Sequence, residues 1–523
     1  MKQLFKPTTL SQLKKGALLT YLKIFLINVI GIVMTPLIVS YLGKDEYGIF
    51  NAIGALIGTI ALLDFGLTNT VVRFIAKYRA EKDREGEENF LGTVRILYFA
   101  VSTLVVISGI VFYFFIDTYF TKFNAEELRI AKLMFVILVF NLAIQLPGMI
   151  FTGICKGYEK FVFPESIGII RYILRSLTIV AVLFFGGRAI ALVIVDTVFN
   201  ILTISVSAYY VLVKLKVRFK LHKLSKSFVL QIFKYSSWIF LFAIVNMLQW
   251  KSGSWVLGAI SVPKVLGIYG LGIALGTYYG AFSTAISSVF LPRATQMSVN
   301  NASGEELTDM MIKLGRLSFI ILMYIFGAFM LYGEQFINLW VGGGGESSGN
   351  GRYSIEECRE IYSIALIIMI GYTLPLLQAF GNSILEAKNK LSFKAILYLV
   401  FMILGVILGG FLAIEYSAIG MIIGLVAGWI IVQNVMNFYY HNKIGLNILR
   451  FFKELFHKTL IVVLLVIATG YFINYIPGDG WFSFITKAIS YTVVFIFTMY
   501  SIGMLEYEKE LFRKPIVSLL KRK

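Results

Sequence analysis

Long apolar runs separated by short charged connections recur along the whole chain. Fourteen of these runs are long enough to cross about 30 Å of hydrocarbon as helices. They cover approximately residues 17–42, 47–72, 91–117, 129–155, 163–186, 189–213, 236–258, 265–292, 312–341, 361–386, 393–414, 417–440, 459–476 and 482–504. The pattern predicts an all-α polytopic membrane protein with 14 transmembrane helices. The first run is too long for the apolar part of a signal peptide and lacks a small-residue cleavage site, so we interpret it as the first span.

The composition agrees with this prediction. The 523 residues are 58% hydrophobic and 15% charged, with a mean hydropathy of +0.80. Soluble domains carry about 25% charged residues, so the composition excludes a single soluble core. The chain has two cysteines and three histidines, too few for a disulfide framework or a His/Cys metal site.

The basic residues are unevenly distributed over the loops. The chain carries 48 Lys and Arg against 29 Asp and Glu, a formal net charge of +19. With fourteen spans, 34 basic residues fall on the termini and the loops of one side, and nine fall on the other. Because cytoplasmic loops are enriched in Lys and Arg, the distribution predicts that both termini are cytoplasmic. The positive charge therefore indicates topology rather than nucleic acid binding.

The same pattern divides the chain into two six-helix bundles and an appended helix pair. We assign a cytoplasmic interfacial segment (1–16), an N-terminal bundle (17–213), a basic linker (214–235), a C-terminal bundle (236–440), an amphipathic linker (441–458), helices 13 and 14 (459–504) and a basic cytoplasmic tail (505–523). Basic and apolar residues alternate in SQLKKG, KLHKLSKSFVLQIFK and NILRFFKELFHK, which predicts helices lying along the inner leaflet.

Two pairs of segments indicate an internal repeat. YGIFNAIGALIG (47–58) resembles LGIYGLGIALG (266–276), and both carry a G-x-x-x-G pattern. LPGMIFTGICKGYEKFVF (146–163) resembles LPLLQAFGNSILEAKNKLSF (374–393), with a proline and a lysine in matching places. The members of each pair are separated by six spans, so the repeat is parallel and predicts two bundles around a central cavity. Chance similarity between apolar segments is the alternative interpretation.

Two arginines lie near the middle of span 5. Arg171 and Arg175 are about 13 and 20 Å into the span and share one helix face. Because a central arginine facing lipid costs about 3 kcal/mol, we expect both to face the protein interior. They are candidates for binding an anionic substrate in the cavity, since the guanidinium geometry suits phosphate. The alternative is a pair of interhelical salt bridges with Asp64 or Asp196.

Two lysines are further candidates for the cationic cavity. Lys251 lies deep in span 7 and is followed by Ser, Gly and Ser, which predict a loosened helix. It is interpreted either as a second cavity cation or as a member of an internal ion pair. Lys23 lies within two turns of the cytoplasmic end of span 1, so it either lines the cavity or extends to the surface. For Arg95 in span 3 we expect the surface position.

The carboxylates inside spans offer a route to ion coupling. Asp64 and Asp196 would each be costly as charged groups unless paired, so they either couple transport to H⁺ or Na⁺ or pair with the nearby arginines. Glu165 lies in the first turn of span 5, where a carboxylate stabilises the helix N-terminus. Apart from such coupling we expect no metal and no cofactor. No large external loop carries the paired carboxylates of a membrane glycosyltransferase, so the sequence predicts a transporter and not an enzyme.

Residues 18–78 resemble the opening of the polysaccharide transporter family, the Wzx-type O-antigen flippases. The most specific segments are YLGKDEYGIF (41–50) and LLDFGLTNTVVRFIAKY (62–78). The family belongs to the MOP exporter superfamily, together with the multidrug and toxin extruders and the lipid II flippases. Fourteen spans, the six-plus-six repeat and two extra helices are similar to the lipid-flippase branches, so the resemblance covers nearly the whole chain.

The resemblance implies alternating-access transfer of an undecaprenyl-pyrophosphate-linked oligosaccharide from the inner to the outer leaflet of a bacterial plasma membrane, for surface polysaccharide biosynthesis. It implies membrane lipids and other polysaccharide-assembly proteins as partners, and no nucleic acid. In this family a cationic cavity receives the pyrophosphate-sugar head group, a role that Arg171, Arg175 and Lys251 fit by type and depth. The alternatives are a lipid II flippase and a cation-coupled multidrug extruder; span 1 has no carboxylate, which counts against the extruder.

Overall fold

The computed structural model describes residues 7–64, 66–223, 226–287, 290–343, 352–388, 390–511 and 513. All regular elements in these residues are helical. Contacts within the chain separate it into two compact units, Met1–Gly267 and Ile268–Lys523.

In the first unit, long helices pack around α5. The helices are α1 (Pro7–Leu42), α2 (Lys44–Ile60), α3 (Leu67–Glu81), α4 (Arg84–Tyr119), α5 (Ala125–Gly157), α6 (Val162–Phe184), α7 (Ala189–Tyr209), α8 (Lys226–Trp250) and α9 (Ser252–Ile260). A 3₁₀ turn, Ala61–Asp64, joins α2 to α3, and α7 ends in a π-helical turn, Tyr210–Lys214. α5 packs against α2, α3, α4 and α7, whereas α6 packs mainly between α1 and α7.

The second unit is organised around α12. Its helices are α10 (Pro263–Ser287, which spans the boundary between the units), α11 (Phe290–Val299), α12 (Gly304–Ile337), α13 (Ile355–Leu377), α14 (Ala379–Ala387), α15 (Leu391–Tyr439), α16 (Ile448–Phe456), α17 (Thr459–Ile473) and α18 (Trp481–Thr498). α12 contacts α13 on one side and α16, α17 and α18 on the other. The appended helix pair is therefore part of this unit.

Two kinds of local feature recur at one spacing along the chain, which supports the predicted internal repeat. Asn124 and Ser354 both form capping boxes, which start α5 and α13. π-helical turns begin at Tyr210 and Tyr440, and these two positions are as far apart in sequence as Asn124 and Ser354. The first pair of matched segments lies in α2 and α10. The repeat therefore extends over element boundaries that apolar similarity alone does not explain.

The expected count of fourteen spans is not confirmed. Eleven helical segments in the described residues are long and apolar enough to span a membrane, and the pair α16–α17, bent by 42°, makes twelve. Two of the expected spans, 393–414 and 417–440, lie within one helical segment, Leu391–Ile444. A third, 236–258, is divided between α8 and α9. Large apolar side chains such as Phe114, Phe411 and Phe497 are exposed, as expected of surfaces that face lipid.

The segment α15 reverses direction at Ser417. This residue has a φ of 50°, which non-glycine residues rarely adopt. Beyond it the two arms of the helix pack back to back, because glycines line both of them. A Cβ added at Gly424 would overlap the backbone of Gly409, and one added at Gly405 would lie 3.0 Å from the carbonyl oxygen of Gly424. Glycine is therefore required for this close approach.

The predicted interfacial helices have different outcomes. SQLKKG is the beginning of α1 and is continuous with the first span. The prediction for KLHKLSKSFVLQIFK is wrong for its first part, since residues 215–223 are not helical and α8 begins at Lys226. NILRFFKELFHK forms α16, with Phe451 and Leu455 buried and Leu449 exposed.

A buried arginine ties the C-terminal helices to α12. Arg316 on α12 is fully buried and donates to both carboxylate oxygens of Glu508, at 2.6 and 3.2 Å. It also donates to the backbone carbonyls of Glu454, His457 and Gly503, at 2.8 to 3.0 Å. Because all five N–H groups of the guanidinium are then bonded, the cost of burying this charge is offset. The sequence pattern gave no signal for this cluster.

Candidate functional site

The candidate site is centred on α6, between α1 and α7. α6 has 23 residues, so Arg171 and Arg175 lie on either side of its midpoint. Leu174 and Leu177 are exposed on the apolar face of the helix, and Ile179 is buried on the opposite face. The two arginines lie at the edge between these faces, and Arg175 reaches a polar partner on a neighbouring helix instead of lipid.

Arg175 forms a two-point ion pair with Asp196 on α7. Its Nε donates to Oδ1 of Asp196, and its Nη2 donates to Oδ2 at 3.0 Å. The two side chains are 25% and 21% exposed, so the pair is largely removed from the surroundings. Of the two partners considered for the arginines from the sequence, Asp196 is therefore the one that binds Arg175. The pairing gives Arg175 a structural role whether or not it also contacts substrate.

Arg171, one turn earlier on α6, differs from Arg175. It is half-buried, and within the described residues it has no hydrogen bond and no ion pair. Its nearest charges are Asp196, which attracts it, and Arg175, which repels it. A guanidinium in the middle of a spanning helix without a bonded partner retains all five donors for a ligand. The ion-pair alternative is thus realised for Arg175 and not for Arg171.

Lys23 reaches α6 through Glu165. Its Nζ lies 3.3 Å from Oε2 of Glu165, while Lys156 lies 3.7 Å from the other carboxylate oxygen. The Tyr172 hydroxyl donates to the carbonyl of Ile27 at 3.2 Å, one turn further along α1. Lys23 therefore belongs to the polar contact between α1 and α6. The sequence predicted that Glu165 stabilises the N-terminus of the helix, but it did not predict the contacts of Glu165 with Lys23 and Lys156.

Lys251 occupies the break between α8 and α9. The helix is interrupted there, as the Ser-Gly-Ser sequence predicted, and Lys251 has a φ of −118° at the start of α9. Its side chain is exposed and lies beside Gly58 on α2. In the described part of the chain it has neither a hydrogen bond from its side chain nor an ion pair. Lys251 therefore lies next to α2 and not next to the α6 arginines. The indole N–H of Trp255 on α9 donates to the carbonyl of Ala55 on α2, so the two helices pack together.

Asp64 lies in the 3₁₀ turn between α2 and α3. Its Oδ1 is buried and has no hydrogen-bond partner among the residues that the structure describes. The hydroxyl of Tyr98 on α4 interacts with this carboxylate and is 3.1 Å from the hydroxyl of Thr68. Asp64 is therefore not an ion-pair partner of either α6 arginine. It remains a buried carboxylate in a broken helix.

The α6 arginines have no counterpart in the second unit. At the spacing that relates Tyr210 to Tyr440, the positions corresponding to Arg171 and Arg175 are Phe401 and Gly405, both in α15. There, the two arms of α15 are held by the glycine contacts instead of an ion pair. The charged site is thus a departure from the repeat, which indicates a role beyond the shared architecture.

The six predicted site residues therefore do not form one cluster. Lys23, Arg171, Arg175 and Asp196 are joined by the packing of α1, α6 and α7, whereas Lys251 and Asp64 lie on other helices. No group of three or more His, Cys, Asp or Glu side chains suited to a metal ion occurs in the residues that the structure describes.

Sequence comparisons relate the chain to a protein family and to a named protein. The sequence profile of a family described as polysaccharide biosynthesis protein matches residues 13–298. A Shigella flexneri protein named as an O-antigen transporter is 22% identical over 390 residues, which cover 72% of this chain and 86% of that protein.

Solved structures give the fold. The lipid II flippase MurJ in an inward closed conformation has a TM-score of 0.69 and 15% identity, and the match covers 96% of this chain and 99% of that chain. An inward-facing multidrug resistance MATE family transporter of the MOP superfamily has a TM-score of 0.61 and 15% identity, covering 80% of this chain and 96% of that chain. The fold is that of the MOP superfamily, as expected from the resemblance of residues 18–78.

Proposed function

Because the chain belongs to the polysaccharide biosynthesis protein family, we propose that it is a flippase for an undecaprenyl-pyrophosphate-linked oligosaccharide. It transfers this lipid from the cytoplasmic to the outer leaflet of a bacterial plasma membrane by alternating access, for the synthesis of surface polysaccharide. Both termini lie in the cytoplasm. The partners are the lipid-linked substrate, membrane lipids and other polysaccharide-assembly proteins.

The observation that carries this proposal is Arg171 in the middle of α6, which has no bonded partner among the described residues. A pyrophosphate group crossing the membrane needs cations at mid-depth, because an uncompensated charge there is costly. Arg171 offers its donors to the pyrophosphate, and Arg175 adds a second guanidinium one turn away. A planar guanidinium binds phosphate oxygens through two parallel hydrogen bonds, which a lysine does not reproduce.

A lipid II flippase is the second candidate function. The MurJ match covers 96% of this chain and the MATE match 80%, which favours a lipid flippase over a small-molecule extruder. Lipid II also carries a pyrophosphate, so Arg171 serves both substrates equally. The family and the Shigella flexneri relative support the oligosaccharide as the first choice.

We assign ion coupling, if transport uses it, to Asp64. Within the described part of the chain, its buried Oδ1 has no bonded partner, whereas Asp196 is paired with Arg175. A carboxylate in this position exchanges a proton with little disturbance of other ion pairs. Asp64→Asn should then remove the dependence of export on the proton or sodium gradient.

Deletion of the protein tests the substrate class. We expect the oligosaccharide lipid to accumulate on the cytoplasmic leaflet and the surface glycan to disappear, with restoration by the wild-type chain. Unchanged surface glycan together with arrested peptidoglycan synthesis would favour lipid II. Unchanged glycan with heightened sensitivity to cationic drugs would contradict both flippase proposals.

A further inference from the structure

A second polar cavity lies outside the site on α6. It has a volume of about 350 Å³ and is formed by the end of α3, the beginning of α4, the end of α5 and the connection after α7. Five basic side chains line it, against three carboxylates. The basic ones are Arg79, Lys82, Arg84, Lys216 and Arg218. Nothing in the proposed transport mechanism uses this cavity.

The three carboxylates of the cavity are already bonded within the protein. Asp83 caps α4 by accepting from the backbone N–H of Gly86 at 2.8 Å. Glu87 accepts from the Tyr158 hydroxyl at 2.5 Å. Burial, together with this carboxylate, raises the pKa of Tyr158, so the phenol stays protonated and keeps donating. Glu88 lies within 4 Å of three basic groups, of which Arg84 is the nearest at 3.5 Å.

Most of the cavity cations, by contrast, lack such partners. Arg79 stacks on Tyr158 at 4.1 Å, but Lys82, Lys216 and Arg218 have no side-chain hydrogen bond and no ion pair to any described residue. Lys82 and Lys216 have φ values of 57° and 55°, a conformation that usually selects glycine or asparagine. Since the carboxylates are occupied and these three cations are not, the cavity attracts an anion.

The position of the cavity indicates the source of the anion. The helices that form it all belong to segments long and apolar enough to span the membrane, and the cavity lies where they end. Phospholipid phosphates lie at this level of a bilayer, and basic pockets between spanning helices bind anionic head groups. Leu215 and Val217 add apolar surface suited to the glycerol region of a lipid.

We propose that this cavity binds the phosphate head group of an anionic membrane phospholipid through Lys82, Lys216 and Arg218. Contacts with α4 fix the position of the connection after α7, which carries Lys216 and Arg218. Asn89 accepts from the backbone N–H groups of His222 and Lys223, both at 2.8 Å. A Cβ at Gly92 would lie 2.6 Å from the carbonyl oxygen of Lys220, so the two backbones touch.

Native mass spectrometry of the purified full-length protein with phosphatidylglycerol or phosphatidylcholine tests the proposal. The variant is Lys82→Gln, Lys216→Gln and Arg218→Gln combined. The control removes the same charge from three exposed lysines that lie outside both the cavity and the predicted interfacial segments: Lys122→Gln, Lys313→Gln and Lys390→Gln. At about a fivefold loss per cation near the surface, we expect phosphatidylglycerol to bind on the order of 100-fold more weakly to the cavity variant, which lacks three cations. The control should bind it as the wild type does.

Further measurements separate the sources of phosphate. Binding of phosphatidylglycerol by the cavity variant at wild-type strength would overturn the proposal. Inorganic phosphate that binds the lipid-free protein, with the same dependence on the three residues and no preference for phosphatidylglycerol, would overturn the lipid source.

If the triple variant unfolds at a lower temperature than the wild type, Arg218→Gln and Arg218→Lys replace it. Lysine keeps the positive charge and glutamine removes it. Phosphatidylglycerol binding that is retained in Arg218→Lys and lost in Arg218→Gln would therefore support the proposal. Equal binding of phosphatidylglycerol by the two variants would contradict it.

Discussion

At the scale of single residues, two arginines one helical turn apart have different environments. Arg175 is bonded at two points to Asp196, whereas Arg171 has no bonded partner in the described residues. Helical spacing predicted the shared face, because it depends on α6 alone. It did not predict which arginine meets the carboxylate, since that depends on how α7 packs.

Arg175→Ala should lower the amount of folded protein in the membrane. Removing one partner of an exposed ion pair costs up to about 1 kcal/mol. Removing one partner of a buried ion pair costs about 3–5 kcal/mol. The Arg175–Asp196 pair is largely but not fully buried, so we expect a cost between these values. Adding Asp196→Asn removes the uncompensated carboxylate and should restore abundance and melting temperature. Quantitative immunoblotting of membranes and thermal unfolding measure both.

The double variant also tests whether Arg175 contacts substrate. We expect Arg175→Ala with Asp196→Asn to reach normal abundance but to export less glycan per molecule, because one of the two mid-membrane guanidinium groups is missing. Normal export per molecule would restrict Arg175 to its structural role.

At the scale of elements, the two repeats use different chemistry for the same helix pair. In the first unit α6 and α7 are joined by the Arg175–Asp196 pair. In the second, the arms of α15 approach through glycines, so their backbones touch. Charged side chains therefore lie at this position in one repeat only, whereas the contact in the other repeat is between glycine backbones.

Gly424→Ala should destabilise the protein. The added methyl group meets the backbone of Gly409, which has no flexible side chain to move away, and overpacking of this kind costs about 1–3 kcal/mol. Gly54→Ala is the matched control, since no atom lies within 4 Å of its Cβ position and alanine favours the helix. Thermal unfolding in detergent compares the two; equal melting temperatures would contradict the close packing of the α15 arms.

The sequence predicted the positions of the helices well, but it predicted poorly which side chains pair between helices. Hydrophobic runs locate spanning helices because the bilayer imposes the pattern residue by residue. The ion pairs Lys23–Glu165 and Arg316–Glu508 join residues 142 and 192 positions apart, so they depend on tertiary packing. The reversal at Ser417 and the break at Lys251 explain why the count of spans differs from the prediction.

At the scale of the whole molecule, the distribution of charge predicts the topology. The loop between α3 and α4 and the connection after α7 are rich in Lys and Arg, which predicts that they are cytoplasmic. The loop between α4 and α5 is then expected to face outward. The same orientation predicts a cytoplasmic position for the cavity lined by Lys82, Lys216 and Arg218.

Single cysteines test this orientation. The native Cys155 and Cys358 are both buried and are removed first. A cysteine at Lys122, exposed between α4 and α5, should react with a membrane-impermeant thiol reagent in intact cells. One at Glu85, exposed at the beginning of α4, should react only after permeabilisation. Equal labelling of both sites in intact cells would contradict the assignment.

The most direct test of the central claim is export by Arg171→Ala, measured as surface glycan per molecule of membrane-inserted protein. Because Arg171 has no bonded partner to leave behind among the described residues, abundance should stay near that of the wild type. Loss of a charged hydrogen bond to the pyrophosphate predicts export reduced by about 10- to 100-fold. Arg171→Lys should retain partial export, and Arg95→Ala, at an exposed arginine of α4, should export normally. Normal export by Arg171→Ala at normal abundance would contradict the account.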